Sequence, residues 1–307
     1  MKTFANYQYV EGEPMSERDK REAGSKFWNE GKWENFVVPF LPEGEELTLV
    51  DMGCNAGLFL KLAEDRGFDQ VIGVEANRTA WKRAMAYRKR NGGRYEVRRQ
   101  YMQGCIDDLP VADVTVLANA HYYFLIGDWL EYLDRLRPKT RLCVVVTAEK
   151  RVNPPRPRTD PDGIRGYFRD WEEVGCIDPL PLEGDPFPRE LWGLCFRSPL
   201  VDRIPVDELA WNVLKIRYGF WTELDRGVAP AESEYFRFLR GHWSERRWPD
   251  DKIERFLMEK AALYESVKAN RLLKPIVVDR ERRILEGRHR YGMMRHLGHR
   301  TVMVREV

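Results

Sequence analysis

The chain is 307 residues long and carries 51 lysines and arginines against 49 aspartates and glutamates, a net charge of +2. With 43% hydrophobic and 33% charged residues it is neither a disordered tail nor a uniformly basic nucleic-acid coat, and its length accommodates two domains with sizeable cores. The five cysteines, Cys54, Cys105, Cys143, Cys176 and Cys195, form no C-x-x-C pair, and no apolar run approaches membrane-spanning length. The sequence therefore predicts a soluble, cytoplasmic protein with no metal centre and no membrane partner.

Residues 1–24 read as a polar lead-in. Phe27, Trp28, Trp33, Phe36 and Phe40 follow as an aromatic patch that either caps a ligand pocket or packs over a sheet edge. Leu47 to Val50 is a short apolar run ending in Asp51, and Leu58-Phe59-Leu60-Lys61-Leu62-Ala63 begins a helical pattern, so the residues between them make a tight strand-to-helix turn. Gly53 and Gly57 in that turn permit positive φ and let a ligand approach the main chain beside the free N–H groups of a helix start. Dinucleotides use similar geometry, but their G-x-G-x-x-G fingerprint seats a pyrophosphate, whereas the pattern here is Asp51-x-Gly53-x-x-x-Gly57 with no third glycine. Gly67 is a plausible helix stop, and Val71 to Glu75 reads as the next buried parallel strand. Glu75 then stands at the strand's carboxyl end, where a carboxylate can accept from both hydroxyls of a ribose.

Thr79 to Arg90 is predicted as a basic helix stopped by Asn91-Gly92-Gly93, and Tyr95 to Tyr101 as strand three. Val111 to Ala118 is strand four, which delivers Asn119, Ala120, His121, Tyr122 and Tyr123 to the mouth of the site. Trp129, Leu130, Leu133 and Leu136 make one helix face, ended by Pro138, and Arg141 to Thr147 is strand five. Strands alternating with helices give a parallel sheet whose carboxyl ends carry ligands, largely complete by residue 150. The proline-rich stretch 151–195 is predicted to leave the sheet, as a loop-and-helix excursion over the site or a connector.

The turn Asp51-x-Gly53-x-x-x-Gly57 together with Glu75 resembles motifs I and II of class I S-adenosylmethionine-dependent methyltransferases. The resemblance implies an α/β, Rossmann-like domain with a mostly parallel sheet over residues 1–195, with S-adenosyl-L-methionine as cofactor. It implies cofactor-binding roles for Asp51, Gly53, Asn55, Gly57 and Glu75, the glycine turn lining the methionine part and Glu75 holding the ribose. The family's adenine-binding acid aligns with Cys105, which moves that contact to Asp107 or to the Ile106 backbone; Asn119 completes the cofactor set. A cofactor-free or nicotinamide-binding doubly wound domain is the alternative. Methyl transfer is an in-line displacement for which the protein aligns a nucleophile and, for a hydroxyl or amine, removes its proton. His121, whose unperturbed pKa is near neutral, is the candidate base, with Tyr122 beside it and Tyr123 and Asn119 positioning the acceptor. A histidine that only hydrogen-bonds locally and shapes the pocket is the competing reading.

From Ser198 the texture changes. Val201 to Leu209 reads as a strand and turn, followed by an aromatic-rich insertion (Trp221, Tyr235, Phe236, Phe238, Trp243, Trp248), a helix from about Asp250 to Ala269, and the strand Lys274 to Asp279. Ile284 to Tyr291 leads into a helix ending at Leu297-Gly298, and Thr301 to Arg305 closes the chain. Residues 271–307 hold ten Lys/Arg against four Asp/Glu, a local balance of +6. This order, with Glu286-Gly287-Arg288-His289-Arg290 opening a helix, resembles the ParB and sulfiredoxin superfamily. It implies a smaller α+β domain over residues 196–307 that holds a nucleotide or phosphate with Glu286, Gly287, Arg288, His289 and Arg290. Surface ion pairing of the same arginines is the bland alternative. The combined expectation is an O- or N-directed methyltransferase acting on a small-molecule, phosphorylated or nucleotide-linked acceptor. Rival readings make the second domain a nucleotide hydrolase or small-molecule kinase with Glu286 as base, or a DNA-binding module that contacts nucleic acid.

Overall fold

The computed structural model describes residues 10, 26–121, 129–148, 160–181, 190–206, 215–243, 249–270 and 272–307. The chain divides into two compact units, Met1–Asp108 with Ala112–Pro199, and Leu109–Val111 with Leu200–Val307.

The first unit is built on one seven-stranded sheet. Helix α1 (Lys26–Phe36) precedes β1 (Thr48–Met52), α2 (Leu58–Asp65), β2 (Gln70–Val74), α3 (Arg78–Asn91) and β3 (Glu96–Arg98). A short helix α4 (Met102–Cys105) leads to β4 (Ala112–Ala118), α5 (Trp129–Leu136) and β5 (Thr140–Ala148). Then come α6 (Pro161–Tyr167), β6 (Glu172–Pro181) and β7 (Glu190–Arg197), giving the sheet order β3-β2-β1-β4-β5-β7-β6. The pairings from β3 to β5 are parallel, while β7 runs antiparallel to both β5 and β6. All five residues of β1 are buried, as a central parallel strand covered on both faces requires. The order reverses between β1 and β4, and that reversal opens a crevice at the strands' carboxyl ends. This mixed α/β, Rossmann-like sheet is the architecture expected from the sequence.

Local signals fix the helix ends. Asn77 caps α3, its side chain accepting from the N–H groups of Thr79 (2.8 Å) and Ala80 (3.1 Å). Gly92, at φ +67°, ends the helix after Arg88, Lys89 and Arg90 have placed positive charge at its negative pole.

The stretch 151–195 corrects the sequence reading, because β6 and β7 extend the sheet instead of leaving it. The described prolines of this stretch, Pro161, Pro179 and Pro181, occupy positions that spare the ladder. Pro161 sits in the first turn of α6, whose cap Asp160 accepts from Gly163 N–H at 2.7 Å. Pro181 is the last residue of β6, and Pro179 falls where the β6–β7 register shifts between Ile177 and Leu180.

The second unit is α+β. Strand β8 (Asp202–Pro205) is followed by α7 (Lys215–Asp225), α8 (Glu234–Trp243), α9 (Asp250–Asn270), β9 (Ile276–Val278), β10 (Ile284–Glu286), α10 (Arg288–His296) and β11 (Thr301–Glu306). Its four-stranded sheet has the order β10-β9-β11-β8, with β11 parallel to β9 and the other pairs antiparallel. The aromatic insertion supplies the core: Phe220, Trp221 and Tyr235 are buried, and Trp221 stacks on Tyr264 with ring centroids 5.3 Å apart. Asp225, at the end of α7, accepts hydrogen bonds from Tyr264 (2.8 Å) and Lys268 (2.8 Å) on α9 and pairs with His296 Nε2 (3.0 Å) on α10. One carboxylate so joins three helices, and these donors hold its pKa well below the usual carboxylate range. None of the described helices is long and apolar enough to cross a membrane.

Candidate functional site

The crevice at the carboxyl ends of β1, β2 and β4 is shaped by backbone. The turn after β1 folds back on β2, with the N–H groups of Gly53 (2.8 Å) and Cys54 (3.1 Å) both donating to the carbonyl of Val74. Gly57 N–H closes the loop on Cys54 O at 2.9 Å. Gly53 (φ +86°), Asn55 (φ +49°) and Gly57 (φ +85°) all adopt left-handed conformations, so the glycines do what the sequence pattern required of them. At Gly53 the constraint is also steric, since a Cβ there would lie 2.7 Å from Ala120 Cβ. The turn after β1 and the segment after β4 therefore touch at a point where no side chain fits.

Glu75 stands at the end of β2 and accepts from the backbone N–H groups of Asn55 (3.0 Å, Oε2) and Asn77 (2.6 Å, Oε1). It clamps the glycine turn, and a carboxylate has about four lone-pair sites, so these backbone bonds leave it acceptor capacity for a ligand. Asp51 is buried at the end of β1, and its carboxyl is pushed up to about 8 by desolvation first and then by the neighbouring Glu75, with Lys32 pulling it back down. Glu75 is likewise raised, chiefly by burial, against the opposing effect of its backbone hydrogen bonds. Two carboxyl groups held above their ordinary range beside a glycine turn make a site that gains from a cation. Asn55 Oδ1, in the same turn, is buried without a hydrogen-bond partner.

On β4 the chain leaves the sheet through Asn119, at φ +54°, whose N–H bonds to Val146 O at 2.9 Å. His121 is fully buried, with Nε2 3.1 Å from Thr147 Oγ1 on β5. Tyr122 and Tyr123 lie outside the described residues.

The segment after β3 is held by cations. Arg98 donates to Asp108 O (3.1 Å), Arg135 to Gln103 O (3.0 Å) and to the Asp107 carboxylate (2.9 Å), and Lys139 to Asp107 O (2.8 Å). Asp107 is thereby committed in part to Arg135, while Ile106 is buried. Cys105 is buried, bonds through Sγ to Met102 O (3.4 Å), and has its thiol pushed up to about 11, mainly by burial. It is a neutral packing group where an acid was expected.

In the second unit Gly287 has φ +93°, and a Cβ there would meet Arg290 at 3.0 Å and the Ile276 backbone at 3.3 Å. Arg290 ion-pairs with exposed Glu286 at 3.3 Å, and burial draws its pKa below the usual guanidinium range. Arg288 is exposed, and His289 meets Phe256 edge-on at 6.1 Å. Among the described residues no cluster of His, Cys, Asp or Glu is placed to hold a metal.

Sequence reasoning brought Ala120 to the mouth of the site without the close approach to Gly53 that gives it a role, and it missed Lys32, Thr147, Arg135 and Lys139. Lys32 lay inside the aromatic patch, and the other three read as ordinary strand or helix positions.

No protein-family model matches the sequence, and no curated protein matches it. Several solved structures are similar to part of the chain. The magnesium protoporphyrin IX methyltransferase ChlM from Synechocystis, with bound S-adenosylmethionine, is 14% identical with a TM-score of 0.39, over 50% of this chain and 71% of that one. The N-methyltransferase NodS from Bradyrhizobium japonicum is 16% identical with a TM-score of 0.40, over 50% and 87%. The bifunctional kinase-methyltransferase WbdD is 18% identical with a TM-score of 0.45, over 68% and 46%.

Proposed function

We propose that the first unit binds S-adenosyl-L-methionine in the crevice of Asp51, Gly53, Asn55, Gly57 and Glu75 and directs its methyl group to a small-molecule acceptor near His121. The observation that carries this reading is a buried carboxyl group, Asp51, and a half-buried one, Glu75, both held above their ordinary range and joined to a turn with an orphaned acceptor at Asn55. A ligand bearing a sulfonium, an ammonium and two ribose hydroxyls satisfies all three. A dinucleotide pyrophosphate would bring negative charge to carboxyl groups that burial already holds above their ordinary range and no cation to favour their ionised form, which favours this cofactor over a nicotinamide one.

Bound there, the cofactor supplies an electrophilic methyl carbon; the protein's part is alignment, exclusion of water and management of one proton. The turn and Glu75 hold the methionine and ribose parts. Ile106 and the main chain around Asp107, fixed by Arg98, Arg135 and Lys139, would line the adenine end, with Asn119 completing the wall. His121, steadied by Thr147, would take the proton of the acceptor, and Tyr122 is assigned to the chemistry from the sequence alone.

Calorimetric titration with S-adenosylmethionine tests the reading: saturable binding is expected, weakened at least about tenfold by Glu75→Ala, since about 1.4 kcal/mol accompanies each tenfold change. No binding, or binding indifferent to Glu75→Ala, would sink it. His121→Ala is expected to lower turnover roughly 10²-fold or more with cofactor affinity intact, the usual scale of a lost proton acceptor. Loss of cofactor affinity in that variant would make His121 a structural residue.

For the second unit we infer an anion site, phosphate or nucleotide, at the α10 start formed by Gly287, Arg288, His289 and Arg290, in keeping with a ParB/sulfiredoxin-like role over residues 196–307. The concentrated positive charge of residues 271–307 supports it. Arg288→Ala should abolish protection of the unit by a nucleoside triphosphate against heat; nucleotide turnover lost in Glu286→Gln would favour the kinase or hydrolase reading instead.

A further inference from the structure

The ligand edge of the first unit's sheet holds a second orphaned polar group, one the cofactor does not use. Trp192 Nε1 on β7 is buried and has no acceptor among the described residues. An indole N–H can only donate, and a buried donor left unpaired is a standing cost that an incoming acceptor removes.

The sheet fixes where this donor stands. β7 runs antiparallel to β5 with Trp192 directly opposite Thr147, near the carboxyl end of β5. Directly opposed residues share a face, their Cβ atoms about 5 Å apart. The next residue, Gly193, faces the other way, since a Cβ there would lie 3.2 Å from the Phe36 ring on α1. Trp192 and Thr147 therefore both belong to the face away from α1, and Thr147 Oγ1 is 3.1 Å from His121 Nε2. Imidazole, hydroxyl and indole follow one another from the segment after β4 to β5 and β7.

We propose that Trp192 is a positioning residue for the methyl acceptor, its indole N–H donating to a carbonyl or carboxylate oxygen that neighbours the methylated atom. The proposal rests on the methyl-transfer reading and narrows it. The acceptor carries a hydroxyl or amine toward His121 and a carbonyl or carboxylate oxygen toward Trp192. A compound with a cation in place of that oxygen is rejected, because it brings no lone pair and leaves the indole N–H unpaired.

The test uses the full chain labelled with ¹⁵N, with Trp192→Phe identifying one indole resonance among those of ten tryptophans. The probes are 2-hydroxybenzoate and 2-hydroxybenzylamine, each titrated with and without S-adenosylhomocysteine. 2-Hydroxybenzoate is expected to move the Trp192 indole proton downfield, and Trp192→Phe to weaken its binding about tenfold, the scale of one lost hydrogen bond. 2-Hydroxybenzylamine is expected to leave the resonance in place. A resonance unmoved by 2-hydroxybenzoate, an equal response to both probes, or unchanged affinity in Trp192→Phe each overturns the proposal. Where Trp192→Phe folds poorly, Trp192→Tyr identifies the resonance, and the titration of the unsubstituted chain then gives the answer. Binding of S-adenosylhomocysteine is read separately by calorimetry. Its absence alongside a responding indole overturns the methyl-transfer reading; its presence beside a silent indole overturns the role of Trp192.

Discussion

Asp51→Asn is expected to raise the stability of the protein at neutral and alkaline pH while weakening its hold on S-adenosylmethionine. The Asp51 carboxyl, buried at the end of β1, is pushed up to about 8. Between about pH 4 and that value the unfolded chain has released the proton and the folded chain still holds it, so stability falls as pH rises, by about 1.4 kcal/mol for each unit crossed. Asparagine has the shape of the protonated acid and does not titrate. The substitution is therefore expected to be near neutral at about pH 4 and to stabilise by a few kcal/mol at about pH 7.5, which corresponds to roughly 2–4 °C in melting temperature per kcal/mol for a chain of this size. Melting curves at the two pH values check it. A variant less stable than the parent at the higher pH would mean that Asp51 is ionised against Lys32. Cofactor binding should move the other way, because a cation beside Asp51 favours its charged form. Affinity for S-adenosylmethionine is expected to rise as pH climbs toward about 8, with proton release visible as a dependence of the calorimetric heat on buffer ionisation enthalpy. Asp51→Asn should abolish that dependence and weaken binding at least about tenfold. A stabilising change that costs function is what a strained binding site predicts.

How much of this was legible in the sequence differs by element, for physical reasons. The β1–turn–α2–β2 unit announced itself because its determinants are local: apolar runs of strand length, glycines where φ must be positive, and an acid at the next strand's end. The stop of α3 was legible in the same way, whereas the second unit's insertion was visible only as an aromatic-rich stretch and its helices were not. β6 and β7 were not, because whether a proline breaks a ladder depends on the register of the partner strand, and Pro179 is tolerated at an irregularity that only the paired structure contains. Glu75 was read as a ribose ligand; its bonds to Asn55 and Asn77 N–H show it holding the glycine turn, a task that chain spacing does not reveal. Lys32 lay within an aromatic patch that offered two readings, and nothing in its neighbours marked it as a buried charge near Asp51. Thr147 looked like the end of a strand, and Arg135 and Lys139 like the polar side of a helix and its stop. Each acquires a role only through a residue 26 to 32 positions away.

Gly53→Ala is expected to be the most damaging single methyl addition in the site, and its cost should be separable into two parts. At φ +86° an alanine carries the left-handed penalty of about 1–2 kcal/mol, and its Cβ would lie 2.7 Å from Ala120 Cβ, an overlap of the kind that costs about 1–3 kcal/mol more. Gly67, at φ +90° with nothing within 4 Å of where a methyl would stand, isolates the first part. Gly67→Ala should therefore destabilise by about 1–2 kcal/mol and leave cofactor binding unchanged. The second part can be returned by removing the other methyl, because Ala120→Gly vacates the space that the new Cβ needs. The double variant Gly53→Ala/Ala120→Gly is expected to be more stable than the sum of its single changes by about 1–3 kcal/mol, a coupling that urea unfolding of the four proteins measures. Additive effects would show that the turn after β1 and the segment after β4 are not in contact at this point. The same contact links stability to chemistry. Ala120 lies between Asn119, whose backbone is already left-handed, and His121, so an alanine at position 53 that pushes Ala120 outward also pulls His121 from Thr147. Gly53→Ala should lose turnover as well as cofactor affinity, and Ala120→Gly in the double variant should restore more of the former than relief of backbone strain alone could.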